Sequence, residues 1–201
     1  MAGKILISTA YLPPVEYFSL ILNAEEILVE REENYLKQTY RNRCYILSAG
    51  GIQTLTVPVY LGSLHKTPLK NIRIDYSKRW QQIHLRALIS SYRSSPFFEF
   101  YFEDIQRIVL EGHELLTDLN AGLTGAILNM LGLKRAVSFT TSYMPASEMD
   151  IDFRYNITPK KKSFAGAKKY TQVFSQNSDF VPGLSVIDLI FNMGPEAVKY
   201  L

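Results

Sequence analysis

The chain has 201 residues, of which 47% are hydrophobic and 20% are charged, and 22 basic against 19 acidic side chains give a formal net charge of +3. This composition is that of a folded globular protein and excludes disordered or fibrous chains. Because the charge is nearly balanced, nucleic-acid binding is disfavoured and only a mild preference for anions is expected. The length predicts a single domain over residues 1–201.

Cysteine and histidine are scarce. The single cysteine, Cys44, excludes an intrachain disulfide and indicates a reducing compartment. The histidines His65, His84 and His113 lie far apart without a carboxylate at ligand spacing, so neither a metal site nor a cofactor is predicted. The first ten residues lack the long apolar core of a signal peptide, and no stretch approaches the roughly 20 apolar residues of a membrane helix. We therefore expect a cytoplasmic protein without membrane insertion.

The beginning of the chain predicts a βαβ unit. Residues 4–8 form a short apolar strand, a proline pair follows that can open a helix, and apolar spacing over residues 15–22 predicts that helix. Residues 27–30 then predict a second strand. If the two strands are parallel, the turn at residues 11–16 lies at the carboxyl end of the first strand, where ligands bind in open α/β sheets.

The next segment predicts an antiparallel hairpin. Residues 45–47 and 54–59 flank Gly50 and Gly51, and glycine permits the positive φ of a tight turn. A further β-rich piece covers residues 71–75. Together with the parallel pair, these strands predict a central mixed sheet.

Helices dominate the second half of the chain. They are predicted at 78–92, 96–110, 113–131 and 185–192, where the last has Ser185 as N-cap and ends at Gly194. Residues 137–140 predict an edge strand, and the polar, lysine-rich residues 149–169 predict a long loop or lid. The predicted fold class is mixed α/β: a central mixed sheet with an opening βαβ unit and an antiparallel hairpin, flanked by several helices.

Strong catalytic motifs are absent: the sequence has no phosphate-binding glycine loop, no nucleophile elbow and no zinc-protease motif. His84 is the single candidate catalytic residue. On a helix that turns about 100° per residue it falls with Trp80 and Leu88 and faces inward. It is either a general acid or base lining a cleft, or a core histidine with a satisfied hydrogen bond, and the second alternative is favoured.

Two arginines precede the hairpin. In an extended chain Arg41 and Arg43 project to one face, where paired guanidiniums suit a carboxylate or phosphate, and Asn42 projects to the other. The alternative is a solvated edge-strand face. Cys44 is favoured as a buried, inert residue over a nucleophile. The lysines at 160–162 and 168–169 favour a solvated loop. A lid over an anionic substrate is the second alternative, and a nucleic-acid contact is ranked last.

Several ordered strings over nearly the whole chain resemble the WbqC-like protein family. They are Tyr11-Leu12-Pro13-Pro14 with Tyr17-Phe18, Arg41-Asn42-Arg43, Leu55-Thr56-Val57-Pro58-Val59, Trp80 with His84, Tyr92 with Pro96-Phe97-Phe98, Tyr170 with Gln172, and 184–192 with Gly194. The resemblance implies a cytoplasmic bacterial protein of O-antigen or related surface-polysaccharide synthesis. The chain departs from it at residues 8–11, where we expect relatives to show a glutamine-proline start, and over residues 149–169.

This resemblance leads to an enzyme hypothesis, in which an activated sugar is modified by acyl or aminoacyl transfer and His84 is the general base. The candidate substrate-binding residues are Tyr11, Glu16, Asn42, Arg43, Tyr170 and Gln172. The ligand is a nucleotide sugar or another anionic small molecule, and no oligomeric state is predicted. The alternative is a non-catalytic binding or scaffold module that docks on a glycan-synthesis enzyme through its surplus of aromatic residues.

Overall fold

The computed structural model describes residues 2–60, 66–145, 151–160, 168–174 and 179–201. Within these ranges the chain forms a four-stranded sheet, a separate two-stranded sheet and five α-helices. The strands are β1 (Ala2–Ser8), β2 (Ala24–Glu30), β3 (Arg43–Ser48), β4 (Gly51–Thr56), β5 (Val137–Phe139) and β6 (Ile151–Asp152). The helices are α1 (Val15–Asn23), α2 (Trp80–Tyr92), α3 (Phe98–Leu110), α4 (Leu116–Met130) and α5 (Val186–Met193), with 3₁₀ turns at Leu69–Asn71 and Gly194–Tyr200.

The four-stranded sheet has the order β5-β2-β1-β6, and all its strand pairs are parallel. Ile5, Leu6 and Ile7 of the inner strand β1 are fully buried, so both faces of the sheet are covered. Such an uninterrupted apolar run is typical of a parallel strand. Because parallel strands all end at the same edge, Ser8, Glu30 and the residues after β6 meet at the carboxyl edge of this sheet.

The hairpin of β3 and β4 forms its own antiparallel sheet, turning at Gly51 with a φ of 100°. It packs on α2, whose Tyr92 hydroxyl accepts a hydrogen bond from the Leu47 N–H at 3.1 Å. The β-rich piece at 71–75 forms only isolated bridges, between Val59 and Ile74 and between Arg73 and Leu115.

The α/β class, the opening βαβ unit, the hairpin and the flanking helices are confirmed. One feature differs: among the described residues, parallel and antiparallel pairing occurs in two separate sheets rather than within one mixed sheet. Both edges of β1 and of β2 are already occupied by parallel neighbours, so the hairpin packs through side chains instead.

The predicted loop at 149–169 is partly strand, because Ile151–Asp152 pairs with β1 as β6. Residues 146–150 and 161–167 lie outside the described residues, and so do His65 and the lysines at 161–162.

The C-terminus of α5 gives a test of packing. Gly194 has a φ of 53°, and a Cβ at this position would overlap the ring of Phe97. Gly194→Ala is therefore expected to destabilise the fold by about 2–4 kcal/mol, from backbone strain and overpacking together. Gly112 is the matched control, because its φ is 84° but nothing lies within 4 Å of the added Cβ. Gly112→Ala should cost about 1–2 kcal/mol. Urea unfolding measures both, and equal losses would contradict the packing argument.

Candidate functional site

The predicted catalytic histidine lies in the core between two aromatic residues. The Tyr11 hydroxyl and His84 Nδ1 are 2.9 Å apart, and the Trp80 ring packs edge-on against the imidazole with 5.2 Å between ring centroids. Burial lowers the pKa of His84 to about 4, although a hydrogen bond to the backbone of Thr56 opposes this shift. The imidazole is therefore neutral near pH 7. Its geometry is that of a hydrogen-bonded core residue, and its catalytic role stays a prediction.

Asn42 and Arg43 lie at the start of the hairpin. The Asn42 amide donates to the Val57 carbonyl at 2.9 Å, while its Oδ1 has no partner among the described residues. Arg43 is half-buried opposite Thr56, and its Nε is likewise buried without a partner in the described ranges. Arg41 is fully buried and binds Glu33 instead. Arg41 and Arg43 therefore do not form a free pair of guanidiniums.

Tyr170 and Gln172 converge on a buried carboxyl group of α5. The Tyr170 hydroxyl donates to Asp188 Oδ2 at 2.7 Å, and Gln172 Nε2 lies 3.4 Å from the same oxygen. Burial raises the pKa of Asp188, against hydrogen bonds from Tyr170, Tyr92 and Gln172. Burial and the carboxylates of Asp188 and Glu16 in turn raise the pKa of Tyr170.

Apart from Asn42 and Arg43 at the hairpin, the sequence-predicted residues form two groups. Tyr11 and His84 are in direct contact behind the turn that follows β1. Glu16, Tyr170 and Gln172 lie around the contact of α1 with α5. The two groups are joined by the proline pair, because the Pro13 carbonyl accepts the N–H of Val186 at 2.8 Å.

A buried ion pair lies at the end of β1. The sequence did not indicate it. Arg41 Nε lies 3.0 Å from Glu33 Oε1, and its Nη2 lies 2.8 Å from each carboxylate oxygen. The Ser8 hydroxyl donates to Glu33 Oε1 at 2.5 Å and accepts from Arg41 Nη2 at 2.6 Å. The Arg41 carbonyl accepts the Asn120 amide of α4 at 2.9 Å. Buried charges persist only when they are paired in this way.

A second buried guanidinium lies beside it. Arg154 contacts both oxygens of Asp152, with Nη2 at 2.7 Å from Oδ2, and its Nη1 reaches Glu30 Oε2 at 3.1 Å. Glu30 ends β2 and accepts the Thr140 hydroxyl at 2.6 Å. The Arg154 carbonyl is 3.4 Å from Nη2 of Arg41, so the two ion pairs adjoin.

Three of these groups, Ser8, Arg41 and Arg154, border a narrow hollow, here called the carboxyl-edge crevice, whose cavity volume is about 10 Å³, room for roughly one water molecule. The crevice lies at the end of β1. The chain continues from β1 to β2 on one side of it, whereas β6 pairs with β1 on the other side. Such a reversal of strand order is where open α/β sheets bind ligands. The crevice is lined by Ser8, Thr9, Ala10, Tyr17, Tyr40, Arg41, Phe153, Arg154 and Ile157.

A larger hollow, here called the α4 cavity, has a cavity volume of about 250 Å³. It lies between α4 and the carboxyl ends of β2 and β5. Thr9 and Tyr17, which are both buried, line both spaces. Tyr17 is held there by donating its hydroxyl to the Ser8 carbonyl at 3.0 Å.

The charged groups at the carboxyl edge are paired with one another. Two guanidiniums, Arg41 and Arg154, face three carboxylates, Glu30, Glu33 and Asp152, so the set carries one net negative charge when all are ionised. In the part of the chain that the structure describes, no cluster of His, Cys, Asp or Glu is arranged to hold a metal ion. No described helix has the length and hydrophobicity to cross a membrane.

Sequence patterns gave only one signal for these residues. Ser8 and Glu30 end the two predicted parallel strands, a position that favours ligand contact. Glu33 and Arg154 have no such signal, since their pairing depends on contacts between segments distant in the chain.

The neutral His84 predicts a pH dependence. Its pKa is near 4 in the folded protein and about 6.5 when unfolded, so protonation favours unfolding. Stability should be complete above pH 6.5 and fall by up to about 3 kcal/mol as the pH drops to 4. His84→Gln should be less stable at pH 7, and its deficit should shrink towards pH 4. Urea unfolding across this range tests the effect; parallel curves for both proteins would contradict it.

Comparison with known proteins identifies the family to which this sequence belongs. The WbqC-like protein family matches residues 9–163 and 153–200, which is nearly the whole chain. An uncharacterized protein of Mycobacterium tuberculosis, Rv1507c, is 27% identical over 225 aligned positions that cover 98% of this chain and 96% of that protein. No solved structure matches the chain significantly. The chain belongs to the WbqC-like protein family.

Proposed function

We propose that the protein is a cytoplasmic enzyme of bacterial surface-polysaccharide synthesis that binds an activated sugar at the carboxyl edge of its parallel sheet. The observation that carries this proposal is the position of the crevice at the reversal of strand order, bordered by Arg41 and Arg154. The resemblance to the WbqC-like family supports the biological context.

A sugar ring suits the groups at this edge. Its hydroxyls both donate and accept hydrogen bonds, and the edge offers the guanidiniums of Arg41 and Arg154 as donors and the Thr9 hydroxyl as donor or acceptor. Tyr17 and Phe139 line the larger α4 cavity at the same edge, and their rings can pack against the C–H face of the sugar. Because the ion pairs already fix the polar groups, little ordering is needed when the ligand binds.

The reaction in this proposal is acyl or aminoacyl transfer. A hydroxyl or amino group of the bound sugar attacks the carbonyl carbon of the donor, the bond from that carbon to the carrier breaks, and the proton lost by the nucleophile passes to the departing carrier.

His84 enters the proposal through Tyr11. The imidazole holds the Tyr11 hydroxyl, and the Tyr11 N–H donates to the carbonyl of Tyr40, which lines the crevice, at 2.9 Å. His84 is therefore proposed as a positioning residue behind the crevice wall.

Thr9 offers a test of ligand binding that spares the ion pairs. Nucleotide sugars that bind only the folded protein should raise its melting temperature. Thr9→Val removes one hydroxyl that borders the crevice, and we expect it to weaken nucleotide-sugar binding about three- to tenfold without lowering stability. Thr54→Val, on the exposed face of the hairpin, is the matched control and should bind as the native protein does. Calorimetric titration measures the affinities.

Two results would overturn the proposal: no nucleotide sugar raises the melting temperature, or Thr9→Val binds all of them with native affinity.

The alternative is a non-catalytic module that docks on a glycan-synthesis enzyme. The observation that favours it is the exposure of apolar side chains on α2 and α3, including Ile83 and Phe100, whose exposed fractions are 59% and 75%. A stable complex with a glycosyltransferase that Phe100→Ser abolishes, together with no response to nucleotide sugars, would select this alternative.

A further inference from the structure

We propose that the α4 cavity holds the ring of the activated sugar and selects a 6-deoxyhexose, which has a methyl group where common hexoses carry a hydroxymethyl group. This inference rests on the proposed function, because it names the class of sugar that the same edge of the sheet binds. The volume of the cavity, its apolar walls and its few free hydroxyls lead to this choice.

The cavity has room for one sugar ring. Its volume is about 250 Å³, and an apolar cavity of about 150 Å³ is enough to hold benzene. A whole nucleotide sugar is several times larger than benzene, so its nucleotide half lies outside the cavity.

Most of the cavity wall is apolar. Val29 of β2 and Val137 of β5 lie on one side, and Leu128 of α4 lies on the other. Tyr17 and Phe139 add two aromatic rings to the same wall. Burial of a methyl group against such a wall is favourable, whereas a hydroxyl buried there without a partner is costly.

Two polar side chains of the wall are already committed. The Tyr17 hydroxyl donates to the Ser8 carbonyl at 3.0 Å. Asn120 donates its amide to the Arg41 carbonyl at 2.9 Å, and its Oδ1 has almost no accessible surface. Tyr17 therefore has no donor left for a sugar hydroxyl, and the amide of Asn120 can meet no ligand.

Two threonine hydroxyls remain. Thr9 and Thr124 line the cavity and are only 3% and 8% exposed. Neither hydroxyl has a hydrogen-bond partner among the described residues, and neither oxygen is fully enclosed. Each can donate to a ligand and accept from it. They can satisfy part of the hydroxyls of a sugar ring, whereas in a fully hydroxylated hexose a further hydroxyl would lie unpaired against the apolar wall.

An arginine sets the orientation of the sugar. Of the described residues that line the cavity, Arg135 is the only charged one, and it is exposed. Its Nη2 donates to the Leu22 carbonyl at 2.7 Å, and it pairs with no carboxylate in the described part of the chain. Its remaining N–H groups suit phosphate oxygens. With the sugar phosphate at Arg135, the far edge of the ring, which carries the substituent on carbon 5, points into the cavity.

Matched nucleotide sugars test the choice of sugar on the native protein. GDP-L-fucose and GDP-L-galactose differ only in the hydroxyl on carbon 6, and so do TDP-6-deoxyglucose and TDP-glucose. In each pair that binds, the 6-deoxy compound should bind about ten- to a hundredfold more tightly, because an apolar pocket rejects an added hydroxyl by up to about that factor. Calorimetric titration measures the affinities. Equal affinities, or tighter binding of the hydroxylated sugar, would overturn the inference.

A matched pair of variants on α4 tests the location. Ala121 lines the α4 cavity and also the groove between α3 and α4, whereas Ala126 lines only that groove. On a helix that turns about 100° per residue, the two positions are about 140° apart. Ala121→Leu should fill the cavity and weaken binding of the preferred nucleotide sugar at least about tenfold, while Ala126→Leu should leave it unchanged. Both variants keep a good helix former, and circular dichroism confirms that they fold.

Failure of this inference is distinguishable from failure of the proposed function. If nucleotide sugars bind and Thr9→Val weakens their binding, two results overturn only this inference: hydroxylated hexoses bind as well as 6-deoxyhexoses, or a folded Ala121→Leu protein has native affinity. If no nucleotide sugar binds, both proposals are overturned.

Discussion

The structure depends on the pairing of buried charges at the carboxyl edge of its parallel sheet. Arg41 and Arg154 are removed from water, and each persists there because carboxylates of Glu33, Asp152 and Glu30 neutralise it at hydrogen-bond distance. Breaking one such pair leaves an uncompensated buried charge, which typically costs about 3–5 kcal/mol. The two ion pairs therefore hold together segments that are far apart in the chain.

This pairing also determines the shape of the candidate site. Arg154 and Glu30 are 124 positions apart, and Arg41 and Ser8 are 33 apart, yet their contacts bring the ends of β1, β2 and β6 to one place. Ser8, Arg41 and Arg154, which help to hold the edge together, also border the crevice. A ligand there would meet donors and acceptors whose positions are set before it arrives, which is the arrangement expected of a specific binding site.

Much of the fold could be predicted because it follows from local patterns. The apolar run of β1, the spacing of α1 and the glycine pair of the hairpin each specify an element within a few residues. The strand β6 could not be predicted, since it has two residues in a polar segment and is defined by its pairing with β1. For the site, topology predicted ligand contact at the turn of residues 11–16, whereas the crevice is lined by residues 8–10 just before that turn. The ion pairs were not, because neither Glu33 nor Arg154 stands in a pattern that reveals its partner. His84 was correctly placed on the inward face of its helix, but the sequence could not show that Tyr11 would occupy its Nδ1.

Amide chemical-shift mapping with a nucleotide sugar shows whether a ligand binds along the carboxyl edge of the parallel sheet. We expect the shifted amides to cluster at residues 8–11, 31–33, 120–125, 137–140 and 152–157. Shifts that cluster instead on the exposed face of α3 around Phe100, with the carboxyl-edge amides unmoved, would contradict it.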